Sequence, residues 1–344
     1  MSFHELLLII IHKFHGERSS TAAYYLLKGK KSGQTIQDVT YFKLHPYFSL
    51  YPKLLKEEYN DAISTLVEAG MLEIIESFIF VTEKGLMQID TVKEPMYNGW
   101  IYRGNEQLFW SRLELIVQTL SQFQANEKRF IPNQKNPDIH QFVRNYLRKR
   151  DYQSQHFISS FKEQLKRLLE TSILDDSQRE LFVYRLSGCE TSGLTWEQLA
   201  RHYNASVLDV RFQFVECLHI VLNELNGAQY PDLIDLAQDM EVATPLTESA
   251  IKTNQLFAKG YSIEKIAEMR FLKINTIEDH VIEIVSANHN FPTTSFISAE
   301  QLERVVTISQ LLQTKKLKLI REHIPELSYF QIRIGLTKGE EANG

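Results

Sequence analysis

The sequence predicts a mainly α-helical protein, and three observations support this fold class. Glycine and proline are scarce, at 14 and 9 of 344 residues, so few positions interrupt a helix. Several segments repeat apolar residues at the 3.6-residue spacing of an amphipathic helix, among them 107–123, 156–170, 210–225 and 299–324. Strand signals are scarce, the clearest being 71–85, where two short apolar runs favour a hairpin.

The first segment, about 1–92, has the element order of a winged helix. A helix over 57–70 is predicted to end at Gly70, which supplies a left-handed residue. The hairpin over 71–85 follows directly. We therefore predict a winged-helix domain with a small β-wing, and a helical domain closed by a hairpin is the alternative.

Two turn-rich connectors, 93–105 and 226–245, divide the rest of the chain. They predict three domains of ordinary size. These are a winged-helix domain over 1–92, a helical domain over 106–228 and a third domain over 246–338.

The second and third domains contain related motifs. TWEQLARHYNASVLDV (195–210) aligns without gaps with SIEKIAEMRFLKINTI (262–277). Both begin with a residue suited to cap a helix, carry a small alanine inside the first helix and end on an aliphatic residue, as a helix-turn-helix requires. Asn204 suits a left-handed turn, whereas Phe271 at the equivalent position predicts a different turn.

The charge and cysteine content limit the class of protein. The net charge of −5 argues against binding nucleic acid through a global positive field. Two cysteines are too few for a disulfide framework and fit a reducing compartment. The apolar run LLLIII near the N-terminus is too short for a membrane span. We expect a cytoplasmic protein with no membrane association.

These motifs resemble known families. The middle segment, from DDSQRELFVYRL through TWEQLARHYNASVLDVRFQFVECLHIVLNEL, resembles region four of bacterial sigma factors. QLFAKGYSIEKIAEMRFLKINTIEDHVIEIV, followed by LSYFQIRIGL, is similar to the helix-turn-helix domain appended to many RecQ-type helicases. With STAAYYLLKGKKSGQTIQD included, nearly the whole chain resembles the YpbB-like proteins of Firmicutes. The resemblance implies a cytoplasmic partner of a RecQ-type helicase in DNA repair or recombination.

Candidate DNA contacts are lysines in clusters and polar residues at the start of the two recognition helices. Lysine clusters bind phosphates with little sequence preference. The candidates are Lys28, Lys30, Lys31, Lys53, Lys56, Arg211, Gln213, Lys273, Asn275, Thr276, Lys315, Lys316 and Lys318. For Lys28–Lys31 a solvated loop is the alternative, and for the helix carrying Arg211 a protein-binding face is equally consistent. On that helix we expect one of Phe212 and Phe214 in the core and the other half-exposed.

The second recognition helix presents a conflict, because Glu278, Asp279 and Glu283 would repel DNA phosphates. We therefore favour a helix capped by Asn275 or Thr276, with the acids in its first turn and His280 on the surface.

No glycine-rich nucleotide loop, serine elbow or clustered Cys/His pattern is present in the sequence. We expect no catalytic residue, cofactor or metal site. The expected function is that of a non-enzymatic accessory to a RecQ-type helicase, binding duplex or branched DNA largely independently of sequence. The alternatives are a sequence-specific transcription regulator and an adaptor that contacts only proteins.

Overall fold

The computed structural model of the chain describes residues 1–127, 129–170, 173–242, 246–288 and 290–341, without the side chains of Glu340 and Glu341. The mainly α fold class is confirmed. The helices are α1 (Phe3–Lys13), α2 (Ala22–Leu27), α3 (Gly33–Tyr41), α4 (Lys56–Glu68), α5 (Glu83–Ile89), α6 (Gly99–Tyr102), α7 (Glu106–Gln124), α8 (Pro137–Arg148), α9 (Gln155–Leu169), α10 (Asp176–Arg185), α11 (Trp196–His202), α12 (Val207–Glu224), α13 (Glu248–Phe257), α14 (Ile263–Arg270), α15 (Ile274–Ala287), α16 (Ala299–Leu311), α17 (Leu317–His323) and α18 (Tyr329–Glu341). The strands are β1 (Leu72–Ile75) and β2 (Phe78–Val81).

The chain forms two units, each built from segments that are distant in sequence. Unit 1 comprises Met1–Leu6, Leu50–Pro52 and Asp90–Val242. Unit 2 comprises Leu7–Ser49, Lys53–Ile89 and Ala243–Gly344. Most of the first and third predicted domains therefore fall in unit 2, and the three-domain division itself stays a prediction.

Unit 1 is organised around α12, which packs against α7, α9, α10 and α11. Phe212 and Phe214 are both fully buried, so the expectation that one would be half-exposed is wrong. Phe212 stacks on Phe3 with ring centroids 4.9 Å apart, while Phe214 contacts Trp110 on α7. The start of the chain therefore covers the face of α12 that carries Phe212.

The predicted helix and hairpin at the start of unit 2 are confirmed. Gly70 follows α4 with φ +67°, a conformation that glycine adopts without strain. β1 and β2 then pair antiparallel, with Leu72 opposite Val81 and Ile75 opposite Phe78. Leu72 and Ile79 are buried on one face of the hairpin. Ile74, on that same face nearer the tip, and Ile75, on the opposite face, are exposed.

The centre of unit 2 is α15, which packs against α3, α13, α14 and α18. α3 belongs to the N-terminal segment, so this packing joins both ends of the chain. Tyr41 at the end of α3 donates a hydrogen bond from its hydroxyl to the carbonyl of Arg333 on α18 (3.1 Å). Burial raises the pKa of this tyrosine well above its usual range, so the hydroxyl stays protonated and can donate.

Within the described ranges, none of the helices combines the length and apolar content needed to cross a bilayer.

Replacement of Gly335 by alanine is expected to destabilise unit 2. A Cβ atom at this position of α18 would lie 2.7 Å from two side-chain atoms of Val305 on α16, so the two helices must separate. Overpacking of this kind costs about 1–3 kcal/mol. Urea unfolding combined with hydrogen exchange of α18 measures the effect. Thr307→Ala on the exposed side of α16 is the control, and equal unfolding midpoints for the two variants would contradict this packing.

Candidate nucleic-acid interface

α13, α14 and α15 form the helix-turn-helix predicted for the C-terminal segment. The Ser262 hydroxyl accepts a hydrogen bond from the Lys265 backbone N–H (3.3 Å), which confirms Ser262 as the N-cap of α14. Ile266, Ala267 and Ile277 are the buried core of the motif. The small Ala267 lets α15 cross close to α14, as the sequence pattern predicted.

The turn between α14 and α15 is left-handed at Phe271, with φ 53°. Asn204 has φ 49° at the equivalent place between α11 and α12, so the expectation of a different turn at Phe271 is wrong. A bulky residue is rarely found in this conformation. The Phe271 residue is 96% exposed, so its ring contributes little to the core of the motif.

The accessible part of α15 is its first turn. Lys273 is the N-cap and makes no side-chain capping bond, so the expectation that Asn275 or Thr276 caps the helix is wrong. The first turn holds no acidic residue, so the expectation that the acids occupy it is also wrong. Lys273 and Asn275 are exposed and Thr276 is half-exposed. This turn is where a recognition helix approaches base edges, but it carries a single cation.

The remainder of α15 is half-buried or buried, and two of its carboxylates have partners within unit 2. Glu283 accepts hydrogen bonds from the backbone N–H and, at 3.0 Å, the hydroxyl of Thr247, the N-cap of α13. Asp279 forms an ion pair with Arg333 at 2.7 Å. Burial raises the pKa of Glu278. Glu283 and Asp279 therefore have partners within unit 2, and the Asp279 side chain stays 48% exposed.

His280 is buried, which corrects the expectation of a surface histidine. Its Nδ1 lies 2.9 Å from the Thr253 hydroxyl and 3.4 Å from Nη1 of Arg270. Burial, helped by the Arg270 charge, lowers the pKa of His280. These contacts join one residue from each of α13, α14 and α15 and hold the three helices together.

The N-terminal lysines form one group. Lys28 donates from Nζ to the carbonyl of Leu54 (3.2 Å), which brings the Lys28–Lys31 turn next to the segment carrying Lys53 and Lys56. Lys30 lies over the Tyr25 ring at 3.9 Å, a cation–π contact. Lys31, Lys53 and Lys56 are exposed. All five of these candidate residues therefore lie in one region of unit 2.

The C-terminal lysines join cations that the sequence interpretation missed. Lys315 lines a cavity of about 550 Å³ together with His12, Lys13, His15 and Lys43. A second cavity shares Lys315 and adds Lys316 and Lys318. We call these two adjoining cavities the lysine groove. Lys13 and Lys43 are some 300 residues from Lys315 in the chain, so no local pattern links them.

Glu17 fixes the geometry of the lysine groove. Its two carboxylate oxygens accept from the backbone N–H of Lys315 at 3.0 and 2.9 Å. His15, Lys43 and Gln313 line the groove in left-handed conformations, with φ of 49°, 51° and 50°, each just after a helix. Helix carboxyl ends favour cations, which accounts for part of the positive charge gathered here.

Arg211 and Gln213, the candidates on α12, belong to unit 1 rather than to the unit that carries these lysines. Arg211 donates to the Tyr51 hydroxyl, and its guanidinium lies 5.2 Å from the centre of the Trp196 ring. Gln213 donates to the carbonyl of Met1 (3.4 Å). Both side chains are half-buried, and their role as DNA contacts stays a prediction.

The C-terminal motif has capped helices, a left-handed turn and a core of three residues. These features define a helix-turn-helix protein, a class associated with DNA binding. A family model described as a helix-turn-helix domain matches residues 249–336. The chain is 32% identical to Protein YpbB of Bacillus subtilis (strain 168), covering 98% of this chain and 97% of that protein. The chain belongs to the YpbB family. No solved structure gives a significant match.

Replacement of Glu283 by glutamine is expected to lower the stability of unit 2. An amide has only one acceptor oxygen, so one of the two donors of Thr247 is left without its partner. Removal of a buried charged hydrogen bond costs about 1.5–3 kcal/mol. Urea denaturation measures the effect, with exposed Glu303→Gln on α16 as the control. An unchanged midpoint together with stronger DNA binding would instead place Glu283 at a DNA surface.

Proposed function

We propose that this protein is a non-enzymatic accessory that binds the DNA backbone with little base selectivity and works with a RecQ-type helicase in repair or recombination. Enclosure of α15 is the observation that supports DNA binding with little base selectivity. Beyond Ile277 its side chains are half-buried or buried through Ala287. A helix enclosed in this way cannot enter a major groove along its length.

The exposed start of α15 favours backbone contact. Sequence-specific helices of this class place three or four side chains against base edges. Lys273, Asn275 and Thr276 are the polar residues of this turn, and Ile274 beside them is 45% exposed. One lysine with an amide and a hydroxyl can contact phosphates near the turn, and they are fewer side chains than a helix needs to read several bases.

The two lysine groups add to the cationic surface of unit 2. Lys31, Lys53 and Lys56 are exposed at one site, and Lys43 and Lys318 belong to the lysine groove. Lysines act as point charges on phosphates, so they give salt-dependent affinity that tolerates any sequence. Both groups belong to the unit that carries the C-terminal helix-turn-helix.

The helicase part of the proposal rests on the resemblance of the C-terminal segment to the domain appended to RecQ-type helicases. A separate chain carrying that domain would supply it in trans. The sequence contains no nucleotide-binding motif, which fits an accessory whose partner provides the energy for unwinding.

Removal of three groove lysines is expected to weaken DNA binding at every sequence tested. Lys315→Ala, Lys316→Ala and Lys318→Ala together should make the slope of log K against log salt shallower by about 0.9 for each phosphate that is no longer neutralised. Fluorescence anisotropy with duplex and forked DNA measures this slope. The control replaces the exposed lysines Lys135, Lys149 and Lys162 of unit 1. A motif enriched from a random duplex library would favour a transcription regulator instead.

Association with a RecQ-type helicase of the same organism is expected in co-purification at low salt. A helicase that already carries the appended helix-turn-helix domain is the control and should be retained less. If neither helicase is retained, the partnership is wrong, and the DNA-binding result still stands independently.

A further inference from the structure

The predicted winged-helix segment is negatively charged, whereas a wing that binds DNA is expected to be positively charged. Residues 56–89 contain seven carboxylates and two lysines, a net charge of −5, which equals the net charge of the whole chain. α4 and the hairpin are the elements that would face DNA in a winged helix. Phosphates approaching this surface would meet excess negative charge, so the surface suits a different ligand.

The hairpin adds exposed apolar side chains to this charge. Ile74 is 47% and Ile75 is 52% exposed, and they stand between exposed Glu73 and Glu76. We call these four residues the wing edge. Glu76 at the tip has φ 58°, a conformation rarely adopted by a residue with a side chain. The exposed isoleucines offer apolar contact area, and the carboxylates beside them offer negative charge to a partner of opposite charge.

In the part of the chain that the structure describes, the outer side of β1 has no further strand beside it. Among the described residues, β1 pairs with β2 alone, in a sheet of two strands. The outer side of β2, in contrast, is bridged by Ser19, and Ile79 donates to the carbonyl of Arg18 (3.3 Å). An uncovered edge strand offers backbone donors and acceptors to an added strand.

We propose that the wing edge docks an extended protein segment with alternating basic and apolar residues, which pairs with β1. Its backbone would extend the two-stranded sheet. Because successive side chains of a strand point to opposite faces, its apolar side chains would cover Ile74 on one face, and its cations would face Glu73 on the other. Glu76 at the tip adds to the negative charge that attracts those cations. The wing edge would bind the protein partner of the proposed function, and in that respect the inference rests on the proposed function.

A defined peptide tests the wing edge directly in the full-length protein. The probe is a labelled peptide of about eight residues that alternates lysine and valine. Its match carries N-methyl groups on all of its backbone amides and has no N–H group to donate to β1. We expect the first peptide to bind and the methylated one to bind about tenfold more weakly.

Two charge-reversed proteins locate the binding. Glu73→Lys with Glu76→Lys should weaken peptide binding about tenfold, whereas Glu163→Lys with Glu303→Lys, exposed carboxylates on α9 and α16, should not. Ile74→Ser with Ile75→Ser, which keeps the charge, should also weaken it. Equal binding to all these proteins, or no binding to the unmodified protein, overturns the inference: the wing edge is then only a charged, protected strand.

Helicase retention is measured on the same proteins. If the control protein retains the helicase and the wing-edge variants do not, the helicase binds at the wing edge. If the unmodified protein retains no helicase but binds the peptide at the wing edge, the partnership fails and the docking surface stands. If the helicase is retained equally by all variants and the peptide is not bound, the partnership stands and the docking surface fails.

Discussion

Enclosure of α15 by α3, α13, α14 and α18 is the constraint on which unit 2 depends. A recognition helix on a free-standing helix-turn-helix needs one apolar stripe. Here the helix is buried on several sides from His280 to Ser286, so its polar residues require partners within the protein. Thr247, Thr253 and Arg333 supply them. The same packing ties the N-terminal segment to the C-terminal one, since α3 comes from residues 33–41.

Because of this enclosure, the C-terminal segment has the fold of a helix-turn-helix, but α15 cannot enter a DNA groove along its length. Burial of the rest of α15 leaves its first turn and the turn at Phe271 exposed to solvent. Charge is then distributed over other parts of the unit: lysines gather near Leu54 and along the groove with Lys315, while carboxylates gather on α4 and the hairpin. Unit 2 thus carries a surface suited to phosphates and another suited to a basic protein segment.

Local features were predictable because local interactions determine them. Thr195 and Ser262 accept the predicted capping bonds, Gly70 is left-handed, and the hairpin forms where β-branched and aromatic residues concentrate. The errors share a cause. Phe212, His280 and the turn at Phe271 depend on contacts with residues far along the chain or on a backbone that strains its side chain, and neither is visible in a window of a few residues.

The sequence by itself determined the helices, the caps at Thr195 and Ser262, the hairpin and the two helix-turn-helix motifs, because each follows from apolar spacing and from side chains that bond to nearby backbone. Tertiary structure alone decided where the carboxylates of α15 point and which lysines meet. Glu283 contacts Thr247, and Lys13 and Lys43 line the same cavity as Lys315. Such pairings join residues that are distant in the chain, and only the packed helices bring their charges within interacting distance.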